Sequence, residues 1–94
     1  MESRIKISNG VISLSGFEKI TEFPFIRFSF PGEESFYVSG CNNASEKTDL
    51  HYATTYENIE NSLIIKDERL AKMLKERDAE RKIFDYYNDA YFSM

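Results

Sequence analysis

The chain holds one cysteine, no tryptophan, and neither glycine nor proline beyond Gly40. Each shortage excludes something. A lone Cys41 cannot close an intrachain disulfide or furnish a cysteine metal cluster, and a free thiol suits a reducing compartment. The start, Met1-Glu2-Ser3-Arg4-Ile5-Lys6, lacks the basic-then-apolar pattern of a leader, and apolar runs are only a few residues long. The expectation is therefore a cytoplasmic protein that does not cross a membrane. No glycine-rich loop precedes a helix in the P-loop manner, so no nucleotide site is expected. No cofactor or metal is expected either, since one His and one Cys leave too few ligands for zinc.

What is present is ordinary in amount but uneven in placement. The 94 residues carry a net charge of −4, with 41% hydrophobic and 30% charged residues, which suits one domain over 1–94. A general phosphate-backbone binder would carry a basic excess, so nucleic acid is disfavoured as a partner. Eight Phe and six Tyr must supply much of the core. All glycines and prolines fall within residues 1–40, which reads as a β-rich half, with a helical half over 54–92.

Asn9-Gly10 is the preferred pair for a two-residue type I′ turn, because both positions need positive φ. That turn sets Ile7 opposite Ile12 and Ile5 opposite Leu14, with Lys6 and Ser13 on the other face, so turn chemistry and apolar pattern agree. Residues 23–30 read as a third strand and 35–39 as a fourth. A loop over 32–34 opposes Phe28 to Val38 and Phe30 to Phe36. Phe28 and Phe30 then face one way, Phe23 and Phe25 the other. Leu50-His51-Tyr52-Ala53 reads as a short fifth strand.

Thr54-Thr55-Tyr56-Glu57 matches a capping box. Beyond it, Tyr56, Leu63, Leu70, Arg77, Phe84 and Tyr91 recur every seven residues, as do Ile59, Lys66, Met73, Glu80 and Tyr87 three along. That stripe predicts a helix over 55–92, roughly 57 Å long if unbroken. It is too long for so small a domain to cover. Either it breaks near 65–67, or its far half pairs with another chain as a homodimer. The fold class expected is α+β, an antiparallel sheet of two hairpins with a long C-terminal helix.

Candidate chemistry is thin. His51 with Cys41 as nucleophile lacks an orienting third group in sequence, and the acidic pairs suit a solvated periphery, so an enzyme is not expected. The aromatic strand 23–30 around Arg27 suits either a buried face or a single-stranded nucleic-acid platform. The aromatic C-terminal end, with Phe84, Tyr86, Tyr87, Tyr91 and Phe92 and the adjacent Arg77 and Glu80, is the expected partner-binding surface. The function expected is a small acidic inhibitor, adaptor or regulator of a macromolecular partner. Its Asn-, Lys-, Ile- and Tyr-rich composition leans toward a phage or mobile element. A self-assembling structural subunit and a single-stranded nucleic-acid binder are the alternatives.

Overall fold

A computed structural model describes residues 3–33 and 36–81 of the chain. Its described residues form seven strands and one α-helix: β1 (Arg4–Ser8), β2 (Val11–Ser15), β3 (Phe25–Ser29), β4 (Tyr37–Cys41), β5 (His51–Thr54), β6 (Glu57–Ile59), β7 (Ser62–Lys66) and α1 (Glu68–Glu76). The α+β class is as expected; the architecture differs. Two antiparallel sheets replace one, a four-stranded sheet in the order β1-β2-β7-β6 and a three-stranded sheet in the order β4-β3-β5.

The first hairpin matches its sequence. Asn9 (φ 52°) and Gly10 (φ 78°) both take the left-handed conformation, and Ile5 and Ile7 pair with Leu14 and Ile12. The free edge of β2 then takes β7, with Ile12 opposite Ile65 and Leu14 opposite Leu63. Six buried apolar side chains thus form two adjoining cross-strand rows of three on one face. Because β7 occupies that edge, the β3–β4 hairpin pairs on its other side with β5 instead. Its register is the expected one, with Phe28 opposite Val38, but the strands run Phe25–Ser29 and Tyr37–Cys41 rather than 23–30 and 35–39. Phe28, Phe30 and Phe36 are fully buried, with ring centroids 6.3 to 6.5 Å apart. They join Phe17, the apolar rows of the larger sheet, and Leu70 and Leu74 of α1 in one hydrophobic cluster.

The long helix is the main correction. Residues expected to begin it form a third hairpin, in which Glu57, Asn58 and Ile59 pair with Ile64, Leu63 and Ser62. Its two-residue turn, Glu60 (φ 51°) and Asn61 (φ 70°), adopts the same left-handed pair as Asn9-Gly10 but without glycine. The presumed capping box does not form, since Thr54 is buried in β5. The true cap is Asp67, in the 65–67 stretch where one of the two alternatives broke the helix. Its Oδ1 accepts the Leu70 N–H at 3.0 Å, and its extended φ of −155° closes the preceding strand.

From that cap α1 runs only nine residues, burying Leu70, Ala71, Met73 and Leu74 on one face. It ends where Asp78 turns left-handed, at φ 57°, a position that usually falls to glycine or asparagine. The chain continues as a 3-10 turn, Ala79–Arg81, with Ala79 fully buried. A coiled-coil dimer through residues 55–92 therefore lacks its continuous helix over 55–81.

Candidate functional site

The two sheets pair their apolar faces within one core, so each has an outer face, and the two differ in chemistry. On the four-stranded sheet that face carries Arg4 and Lys6 from β1, Val11, Ser13 and Ser15 from β2, Glu57 and Ile59 from β6, and Ile64 and Lys66 from β7. Lys66 Nζ lies 3.9 Å from Glu57 Oε1 of β6. Charged and hydroxyl side chains there are interleaved with the half-buried Val11 and Ile64 and the exposed Ile59. The outer face of the three-stranded sheet has another pattern. Its cross-strand rows read Tyr37–Ser29–His51, then Ser39–Arg27–Ala53, then Cys41–Phe25. Arg27 is the only formally charged side chain the strands place there, amid three ring-bearing residues.

At one end of this face, Tyr37 and Leu50 stand out from the surface. They are 48% and 62% exposed, and among the described residues only Ile59 joins them as an exposed large hydrophobic. Together with Ser29, Phe30, Pro31 and His51 they line a recess of about 390 Å³. The His51 Nδ1 lies 3.2 Å from Ser29 Oγ, which orients the ring on the rim of the recess. A larger concavity, about 610 Å³, lies between the Asn9-Gly10 turn and α1, but Glu68, Lys72, Lys75 and Glu76 line it with charge of both signs.

Arg27 occupies the middle row. Its Nη1 lies 3.7 Å from Glu46 Oε1, an ion pair too long for a hydrogen bond, and its buried Nε has no hydrogen-bond partner among the described residues. Glu46 comes from the segment that shields the edge of β5. Its carbonyl accepts the Ala53 N–H at 2.7 Å, and Thr48 N–H donates to the His51 carbonyl at 2.7 Å.

The residues singled out by sequence separate into distinct groups. Cys41 and His51 do not meet: Cys41 pairs with Phe25 and His51 with Ser29, at opposite ends and on opposite sides of β3. Strand spacing puts them roughly 16 Å apart, far beyond the reach of a nucleophile–base hydrogen bond. Cys41 Sγ instead donates to the Asn43 carbonyl at 3.3 Å. Phe25 is half-buried on the outer face. Phe23 does not share that face, because it precedes β3 and its ring lies over Gly40.

Arg77 and Glu80 are engaged within the fold. The Arg77 guanidinium sits 4.5 Å from the Phe30 ring centroid, and its Nη1 donates to the Met73 carbonyl at 3.1 Å. Glu80 Oε2 accepts the Ile7 N–H at 2.9 Å, covering an open position on edge strand β1. Phe84, Tyr86, Tyr87, Tyr91 and Phe92 lie outside the described residues.

Tyr52 and Tyr56 were weighed in sequence only as pattern positions, yet both tie elements together. Tyr52 Oη donates to Asp67 Oδ2 at 2.7 Å, beneath the Arg69 guanidinium at 5.4 Å from its ring centroid. Burial first, and then the hydrogen bond to Asp67, push its phenol up to about 12. Tyr56 Oη donates to the Phe23 carbonyl at 2.6 Å, and burial raises its pKa. Among the described residues no group of three His, Cys, Asp or Glu side chains is placed to hold a metal, and no helix is long and apolar enough to cross a membrane. Compared with known proteins, the chain matches no family model, no curated protein and no solved structure.

Proposed function

We propose that this chain is a small non-enzymatic binding protein of the cytoplasm that acts as an inhibitor, adaptor or regulator by occupying a protein partner. Its contact surface is the outer face of the three-stranded sheet. The observation that carries the reading is the pairing of Tyr37 and Leu50. Two of the three exposed large hydrophobics among the described residues converge on one recess, on a sheet face with one charged strand residue. An aromatic ring with a polar tip beside an aliphatic side chain is the composition that recurs at the centre of protein interfaces. The composition suited to an AT-rich genome keeps a phage or mobile-element origin as part of this reading. The aromatic end over 84–92 remains a second contact, contiguous in sequence with Arg77 and Glu80.

The test is affinity capture from a lysate of the source cells with the full chain and with a Tyr37→Ser/Leu50→Ser variant. The urea midpoint of the variant is measured beside that of the parent, and capture is compared under conditions where both are folded. The expected result is a stoichiometric protein retained by the parent and lost by the variant. Equal recovery by both would remove this face from the account.

A further inference from the structure

We infer that the partner offers this face an extended acidic segment, with an apolar side chain in the Tyr37–Leu50 recess and a carboxylate two residues along against Arg27. The inference rests on the binding function proposed above and adds the chemistry of what is bound. Three observations carry it. The recess begins at the Ser29 row, and Arg27 stands in the next row, two residues along the same strand. In an extended chain, side chains i and i+2 share a face and are separated by about 6.6 Å, so one segment spans both features without bending.

The second observation is charge. A chain with a net charge of −4 places a lone cationic side chain among the strand residues of this face. Its ion-pair partner, Glu46, comes from a loop and is itself half exposed. The third is incomplete satisfaction. The guanidinium has five N–H donors in a planar fork suited to a carboxylate. Among the described residues the buried Nε has no acceptor, and Nη1 meets Glu46 only at 3.7 Å. A carboxylate gripped through Nε and one Nη would satisfy the orphan donor and displace Glu46, after a rotation of the Arg27 side chain.

A random library of displayed 12-residue peptides, selected on the immobilised full chain, tests this. Enriched peptides are then labelled with fluorescein and titrated by anisotropy. The expected pool is dominated by an aliphatic or aromatic residue two positions from Glu or Asp. Replacing that acid by its amide in the peptide should weaken binding at least tenfold, which needs no change to the protein. Arg27→Gln should weaken it equally, Arg27→Lys should restore it only in part, and Cys41→Ser should leave it unchanged. Peptides that need Tyr37 and Leu50 but are indifferent to Arg27 and to the acid would overturn the inference and leave the proposed surface standing. A selection with no enrichment, or one indifferent to all three residues, would overturn both. Competition of the peptides by a fifteen-residue oligothymidine of comparable affinity would replace the acidic peptide with single-stranded nucleic acid.

Discussion

Replacing Tyr52 by Phe removes one oxygen from the junction of β5 and α1 and keeps the ring under Arg69 and Lys47 (5.4 and 5.7 Å to the centroid). The lost hydrogen bond, 2.7 Å to Asp67 Oδ2, has a charged acceptor. Deleting such a bond costs about 1.5–3 kcal/mol near neutrality. Asp67 keeps its capping bond to Leu70 N–H through the other oxygen, at 3.0 Å, so the helix start should survive. The pH dependence of this cost is more discriminating than its size. The phenol titrates near 10 in an unfolded chain and is pushed up to about 12 in the fold. Its raised value means that the unfolded state gives up the proton first as pH rises. The contribution is therefore complete below pH 10 and drains away between pH 10 and 12.

Linkage puts the loss by pH 11 at about 1.4 kcal/mol, close to half of the roughly 2.7 kcal/mol that two pKa units represent. Urea unfolding of both proteins at intervals from pH 7 to 11 should show a constant gap up to pH 9 that narrows by about that amount at pH 11. Every other tyrosine titrates equally in the two proteins, so the difference isolates Tyr52. A gap that stays constant to pH 11 would refute the assignment of the shifted phenol, and with it the described tie between β5 and α1.

The left-handed Glu60-Asn61 turn (φ 51° and 70°) should gain about 0.5–1 kcal/mol when replaced by Asn-Gly, read as a higher urea midpoint at unchanged slope. Gly40→Ala should cost about 1–3 kcal/mol, because a Cβ there would stand 2.2 Å from a ring carbon of Phe23; an unchanged midpoint would show that the ring is free to move. Glu80→Ala should cost about 1 kcal/mol by freeing the Ile7 N–H. It should also speed exchange of that amide specifically in hydrogen-exchange NMR. Asp78→Gly, at φ 57°, should stabilise the end of α1 by a few tenths to about 1 kcal/mol by the same thermal or urea measurement.

The sequence made the first hairpin readable because Asn-Gly leaves few alternatives and its register could be checked against the apolar pattern. The β6–β7 hairpin uses the same backbone geometry with Glu60-Asn61, and a glutamate in the left-handed region carries no such signature. Absence of glycine and proline permits a helix, and the seven-residue stripe agrees with one. The misleading coincidence is physical: a two-residue turn resets strand parity, so positions seven apart in a hairpin also recur in apolar character. The available counter-signal is Leu63-Ile64-Ile65, a short aliphatic run with two β-branched residues, flanked by Ser62 and Lys66, which suits a strand better than one face of a helix. That β7 would lie beside β2, and so split the sheet in two, is a non-local pairing with no local mark. The outer face of the smaller sheet was half legible: the aromatic strand and Arg27 were noticed, but which residues stood beside them depended on β5 and on that split.

Net charge is a weak guide to partners, because several acids near the structured elements are already engaged within the fold. Asp67 holds a helix start and a phenol, Glu80 an edge amide, and Glu57 and Asp49 pair with Lys66 and Arg69. The chain's −4 therefore describes a distant field, screened beyond about 8–10 Å at physiological salt, whereas the proposed peptide would meet Arg27 at contact range. These two terms oppose each other for an acidic peptide. Added salt weakens the Arg27–carboxylate pair but also relieves long-range repulsion, so affinity should change by no more than a few-fold between 50 and 200 mM salt. A single-stranded nucleic acid would release counterions at each neutralised phosphate and lose affinity far more steeply over that range. Anisotropy titrations at those two salt concentrations thus separate the two ligands even where both bind, and a steep fall for the selected peptides would refute the one-carboxylate contact.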